Sequence, residues 1–228
     1  MISRGLIFVL LILSAAGATA SEVLDRVVAT VNGHVILLSD WQDEIRFGCF
    51  SSGKKLAEAT REEKQAALER LIDQELLREQ MRDTDAQAVS PQEVEDQLKS
   101  LKEDYTRSHA GEDFASALSK YGLSESYLRE RVAAELRQLK FIDSRFRPSV
   151  QVSTAEVQAY YEEQLVPKLP PSDPVNLNEV TPKIREILAQ KKIDEMLDAW
   201  METLRSQAQI KTFPIGSDSA PQSKQATQ

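Results

Sequence analysis

Side chains able to do chemistry are few in this chain of 228 residues. Its two histidines are His34, directly after Asn32-Gly33, and His109, inside "TRSHAGED". An imidazole near Glu112 and Asp113 has the makings of a carboxylate-oriented base, but the stretch reads as a solvated loop. Neither histidine has neighbours at zinc-ligand spacing. No glycine-rich phosphate loop and no Gly-x-Ser-x-Gly elbow occurs. Cys49 is the single cysteine, which excludes an internal disulfide and reads as a small, half-buried apolar group. The acidic stretches "REEK" and "EVED" fit solvated helix faces. Neither a metal nor a cofactor is expected, and no catalytic residue is assigned. What remains is aromatic: Tyr105, Phe114, Tyr121, Tyr160 and Tyr161 can line a peptide groove, or serve as core and rim residues.

The elements that must position these residues are mostly helical. Val27-Val28-Ala29-Thr30-Val31 and Val35-Ile36-Leu37-Leu38 flank Asn32-Gly33, the strongest short hairpin signal. Ser39 with Gln42 reads as a capping box opening a helix that carries Trp41 and Ile45. Thr60 with Glu63, and Ser90 with Pro91 and Glu93, open two more. A short helix with Phe114 and Leu118 ends near Gly122. Ser124 caps the next, which Pro148 limits. Ser153 with Glu156 opens another, bearing Val157, Tyr160 and Tyr161. The longest helix is predicted from about Asn178 to Gln207, with Ile184, Leu188, Ile193, Leu197, Trp200 and Leu204 as its apolar side and Pro182 in its first turn. Gln209–Phe213 alternates like a strand, and 216–228 reads as a disordered tail. A lone terminal strand needs a partner, and the nearest one is the hairpin. The expected fold is therefore mainly α with a small antiparallel sheet, the N-terminal hairpin pairing with the C-terminal strand.

Charge and the first residues bound the partners. Lys and Arg total 28 against 36 Asp and Glu, a net charge of −8. This balance repels nucleic acid and anionic headgroups. Arg4, the apolar run Leu6–Leu13 and Ala18-Thr19-Ala20 form the n-region, h-region and cleavage site of a signal peptide over 1–20, cut after Ala20. A retained anchor is the alternative. No later stretch is apolar enough for stable membrane insertion.

Between two helical stretches lies "VPKLPPSDP", with prolines at 167, 170, 171 and 174. It reads as a linker, as a ligand for a proline-reading domain, or as the place where relatives carry a whole domain. "DRVVATVNGHVILLSD", "LERLIDQELL", "VSPQEVEDQL" and "SESYLRERVAAELRQLKFIDSRFRPSVQVSTAEVQAYYEE" resemble the opening hairpin and following helices of SurA-like periplasmic chaperones. "NEVTPKIREILAQKKIDEMLDAWMETLRSQAQIKTF" resembles that family's closing helix and strand. The likeness covers about residues 22–213.

The resemblance implies one helical chaperone core, built from 21–166 and 175–215 and closed by the long C-terminal helix. In that family one or more parvulin prolyl isomerase domains lie between the two parts. Here 167–174 stands in that place as a proline-rich bridge, far short of the roughly hundred residues of a small domain. The implied function is ATP-independent binding of unfolded outer-membrane or secreted polypeptides in the periplasm, without enzymatic activity. A structural or assembly-factor subunit of an envelope complex, and a degenerate peptidyl-prolyl isomerase, are the alternatives. The sequence assigns no oligomeric state.

Overall fold

Val27–Val31 (β1) and His34–Leu37 (β2) form the hairpin that Asn32-Gly33 predicts. Both turn residues hold positive φ, 50° at Asn32 and 89° at Gly33, as a type I′ turn requires. The computed structural model describes residues 25–82, 88–109, 111–168 and 175–214. The expected leader at 1–20, residues 169–174 of the proline strip and the tail at 216–228 lie outside the described residues. A bulge between Val27 and Ala29 breaks the alternation of β1, and the consecutive Val28 and Ala29 are both buried.

The helices follow as Leu38–Ser52 (α1), Arg61–Met81 (α2), Pro91–Ser108 (α3), Phe114–Lys120 (α4), Glu125–Phe146 (α5), Thr154–Tyr160 (α6) and Leu177–Gln207 (α7). The strand Ile210–Thr212 (β3) then pairs antiparallel with β1, giving the order β2-β1-β3. The Phe213 N–H donates to the Val28 carbonyl at 2.9 Å, and the Asn32 N–H to the Gln209 carbonyl at 3.0 Å. The Asn32 side chain accepts from the Gln209 N–H at 2.8 Å. The expected fold class therefore holds: mainly α, with the two ends of the chain joined in one small sheet.

Helix starts are where local sequence speaks most clearly. Thr60, Ser90, Ser124 and Ser153 are N-caps, each accepting from the N–H three residues on. Ser39 is not. Helix α1 starts two residues earlier, with Leu37 at the N-cap position, and Asp40 accepts from the Leu37 N–H at 3.0 Å. Ser39 instead gives its N–H and its hydroxyl to Asp25, a carboxylate from the chain before the hairpin. A negative charge there also complements the helix N-terminus. Pro182 is likewise not in the first turn of α7 but in the second, where it offers no N–H to the Asn178 carbonyl.

The apolar residues of α7 do not form one side. Nine residues, two and a half turns, separate Ile184 from Ile193, so these two buried residues lie on opposite faces. Near Ile184 the helix packs against α6, where Val157 is buried. Arg185 and Lys192 donate to the carbonyls of Val152 and Gln151. The C-terminal half turns its other face to α5 and α2. There Trp200 meets Phe141 and Phe146 at ring separations of 6.1 and 5.6 Å, under the Arg145 guanidinium. Arg205 pairs with Asp73 at 2.6 Å and Glu69 at 2.8 Å.

Most of the buried apolar residues among those described gather in two clusters. Val28, Val31 and Ile36 of the sheet meet Leu68, Ile72 and Leu76 of α2, with Met201 and Leu204 of α7 against them. Phe50, Val94, Leu98, Leu118, Leu128 and Val132 join α1, α3, α4 and α5 in the other. Glu44 of α1, only 2 % exposed, ties α1 to both neighbours. It accepts from Arg70 of α2 at 2.6 Å and from Arg131 of α5 at 2.5 Å. Arg131 also lies 3.8 Å over the Phe47 ring and 2.8 Å from Glu135.

Two predictions follow from these charges. Glu44→Gln keeps the shape and leaves Arg131 short of its buried carboxylate. Unfolding in urea is expected to show a loss of about 2–4 kcal/mol, because breaking a buried pair exposes the cost of the remaining charge. A loss below about 0.5 kcal/mol contradicts the role given to this cluster. The second concerns two cap glutamates that are each clamped from another helix. Lys140 of α5 pairs with Glu93 at 2.6 Å and Lys192 of α7 with Glu156 at 2.6 Å. These lysines, then the Ser90 and Ser153 caps, lower both carboxyls to about 2. A depressed folded value stabilises above the unfolded value of about 4.3 and is lost as pH falls toward about 2. The Glu93→Gln, Glu156→Gln double variant should therefore show a flatter decline of stability across that window. Parallel curves for variant and parent contradict it.

Candidate functional site

The five aromatic residues singled out from the sequence separate into two groups. Tyr105, Phe114 and Tyr121 come together around Phe50, which sequence reasoning did not single out. Phe50 stacks on Tyr105 at 5.2 Å and meets Phe114 and Tyr121 edge-on at 5.8 and 5.7 Å. Phe114 is only 7 % exposed and Phe50 3 %, so these two rings are core, while Tyr105 and Tyr121 are half-buried against them. Burial, then its hydrogen bond to Glu112, pushes the Tyr105 hydroxyl up to about 12. His109 stacks on the outer side of Tyr105 at 4.2 Å. Glu112 is engaged by Tyr105 and Lys120, and Asp113 caps α4 through the Ser116 N–H.

Tyr160 and Tyr161 stand elsewhere, at the end of α6. The helix there widens into a π turn over Tyr161–Leu165 and tightens again over Val166–Lys168. The Tyr161 hydroxyl donates to the Val175 carbonyl at 2.6 Å. That bond pins together the two flanks of the proline strip. His34 lies 3.9 Å from both Glu75 and Glu79, and its Nε2 is 2.9 Å from Arg82. Among the described residues, no group of three or more His, Cys, Asp or Glu is placed to hold a metal ion. Among them, too, no helix is long and apolar enough to cross a membrane.

The concave feature best suited to holding a polypeptide is a cleft of about 600 Å³ between the hairpin, α2 and α5. Leu71 and Ala134 give it apolar patches, and Val35, 55 % exposed, stands at its rim. The β2 strand is an edge strand. His34 pairs with Val31 next to the two-residue turn, and Val35 pairs with Thr30. In such a hairpin the closing pair is hydrogen-bonded and the next is not, so the Val35 N–H and C=O point outward. Gln74 of α2 and Gln138 of α5 line facing walls. Their side-chain amides have no hydrogen-bond partner among the described residues. An amide both donates and accepts, as a peptide unit does. From Tyr127 to Gln138 the α5 wall runs roughly 16 Å, room for about five extended residues. The chemistry offered is thus reversible binding of main chain and small apolar side chains.

Sequence reasoning missed this cleft because most of its lining lies on helix faces that read as solvated. One signal was present. Val35-Ile36-Leu37-Leu38 is apolar without alternation, which for an edge strand predicts apolar side chains on both faces and one of them uncovered.

Comparison with known proteins agrees with the hairpin-and-helix region. The family model described as the SurA-like N-terminal domain matches residues 1–142. No curated protein matches the chain. The match takes in the hairpin, the buried Glu44 cluster and nearly all of α5, over more than half of the chain. The chain therefore belongs to the SurA-like N-terminal domain family.

Proposed function

We propose that this protein is an ATP-independent chaperone of the periplasm that binds unfolded outer-membrane or secreted polypeptides. The membership of residues 1–142 in the SurA-like family is the observation that carries this reading. The cleft supports it on physical grounds. A client that is not yet folded presents unpaired main chain and scattered apolar side chains, and sequence-tolerant binding needs a surface that answers both. The Val35 edge, the Gln74 and Gln138 amides and the apolar patches at Leu71 and Ala134 do so. In this reading the strip at 167–174 bridges two parts of one core where relatives carry an isomerase, and its prolines limit the entropy of the crossing. The protein then acts by holding, with no bond made or broken.

The test uses an unfolded porin-like protein diluted from urea, with ATP absent. The protein is expected in the periplasmic fraction with Ser21 as its first residue. At a few-fold molar excess it should suppress most of the client's light scattering, while leaving proline isomerisation in a test peptide at its uncatalysed rate. Unchanged aggregation, a retained Met1, or catalysed isomerisation contradicts the reading.

A further inference from the structure

The same cleft carries a charge pattern that narrows what fits it. Six carboxylates line it, from Asp40, Asp43, Glu44, Glu75, Glu130 and Glu135, against the guanidiniums of Arg78 and Arg131. Most of these acids are already answered. Glu44 is held by Arg70 and Arg131, Asp43 by Arg46, Glu75 by Arg78, and Glu135 by Arg131. Asp40 and Glu130 have no ion-pair partner among the described residues. Asp40 stands on α1, where it also accepts from the Leu37 N–H, and Glu130 on α5, so the two carboxylates without an ion pair belong to different walls. The exposed, apolar Val35 of the β2 edge lines the same cleft.

We propose that the cleft selects extended polypeptide segments in which lysine or arginine flanks a small aliphatic residue. The aliphatic side chain rests against Val35, Leu71 and Ala134. The segment's main chain meets the Val35 edge and the Gln74 and Gln138 amides, and its cationic groups meet Asp40 and Glu130. This inference rests on the client-binding reading and adds a preference to it. An acidic segment is repelled by the same two carboxylates, so the selection has a repulsive as well as an attractive side.

The experiment measures binding of three fluorescently labelled octapeptides to the purified protein by anisotropy. They share one valine-centred sequence and differ only in carrying lysine, glutamine or glutamate on either side. Each partly exposed pair is expected to change affinity by about 1.5- to 5-fold, so the lysine peptide should bind about fivefold tighter than the glutamine peptide. The glutamate peptide should bind more weakly than either, and the differences should shrink in about 0.5 M salt. The Asp40→Asn, Glu130→Gln double variant should reduce the lysine preference below about twofold while leaving glutamine-peptide affinity nearly unchanged. Because Asp40 also caps α1, Glu130→Gln alone provides a second variant at an exposed position, expected to remove about half of the preference on a logarithmic scale. Equal binding of lysine and glutamine peptides, or an undiminished preference in both variants, overturns the proposal. If no peptide binds while porin aggregation is still suppressed, the cleft proposal falls and the chaperone reading stands. If neither occurs, both fall.

Discussion

The fold depends on β1 having two partners from opposite ends of the chain. One is its own hairpin arm, fixed by a turn that only Asn32-Gly33-like residues adopt readily. The other is β3, nearly 180 residues later. Asn32 serves both, since it supplies the turn and also accepts from the Gln209 N–H. Everything between must leave β1 and come back to it. The return is made by α7, whose C-terminal half lies against the sheet side of α2 through Met201 and Leu204 and is locked by Arg205 to Asp73 and Glu69. Hydrogen bonds at this junction are individually modest. Their effect is topological, because they set which face of α7 can reach the interior.

That constraint explains the two-faced helix. The half of α7 nearest β3 buries Ile193 and turns the half-buried Leu197, Trp200 and Leu204 to the same side, whereas the half beyond it buries Ile184 on the side of α6. The α6–α7 pair is an arm whose base belongs to the core and whose outer end meets the proline strip. With Tyr161 bonded to Val175 across that end, the arm closes before the strip begins. The same geometry leaves the cleft beside β2 uncovered, since β3 takes the opposite edge of β1.

Much of the fold was legible because it is written locally. The Asn-Gly turn and the Thr60, Ser90, Ser124 and Ser153 caps are decided by residues within a few positions of one another. The pairing of the terminal strand was legible by elimination, one strand needing another. What failed to read needed distance. Asp25 displaces Ser39 as the source of α1's capping oxygen because the hairpin brings it there. The apolar residues of α7 were read as one stripe, yet the nine-residue step from Ile184 to Ile193 already places them on opposite faces. Pro182 lies in the second turn, since even a start at Asn178 would make it the fifth helical residue and the helix starts at Leu177. For the site, the aromatic residues attracted attention by type; three of them gather around Phe50, Phe114 buried and Tyr105 and Tyr121 half-buried. The cleft is built from polar helix faces and one uncovered valine, which carry no motif.

The claim that the N-terminal region and the closing helix and strand form one core is tested by dividing the chain at the strip. The fragment 21–165 lacks β3, the Arg205 pairs and Trp200 against Phe141 and Phe146. With total stability of ordinary domains only about 5–15 kcal/mol, the account predicts that this fragment shows no cooperative thermal unfolding. Adding residues 175–215 as a separate peptide should restore a sharp transition. A cooperative transition in the fragment alone, close to that of the intact protein and unmoved by the peptide, would show the C-terminal segment to be an appendage and contradict the account.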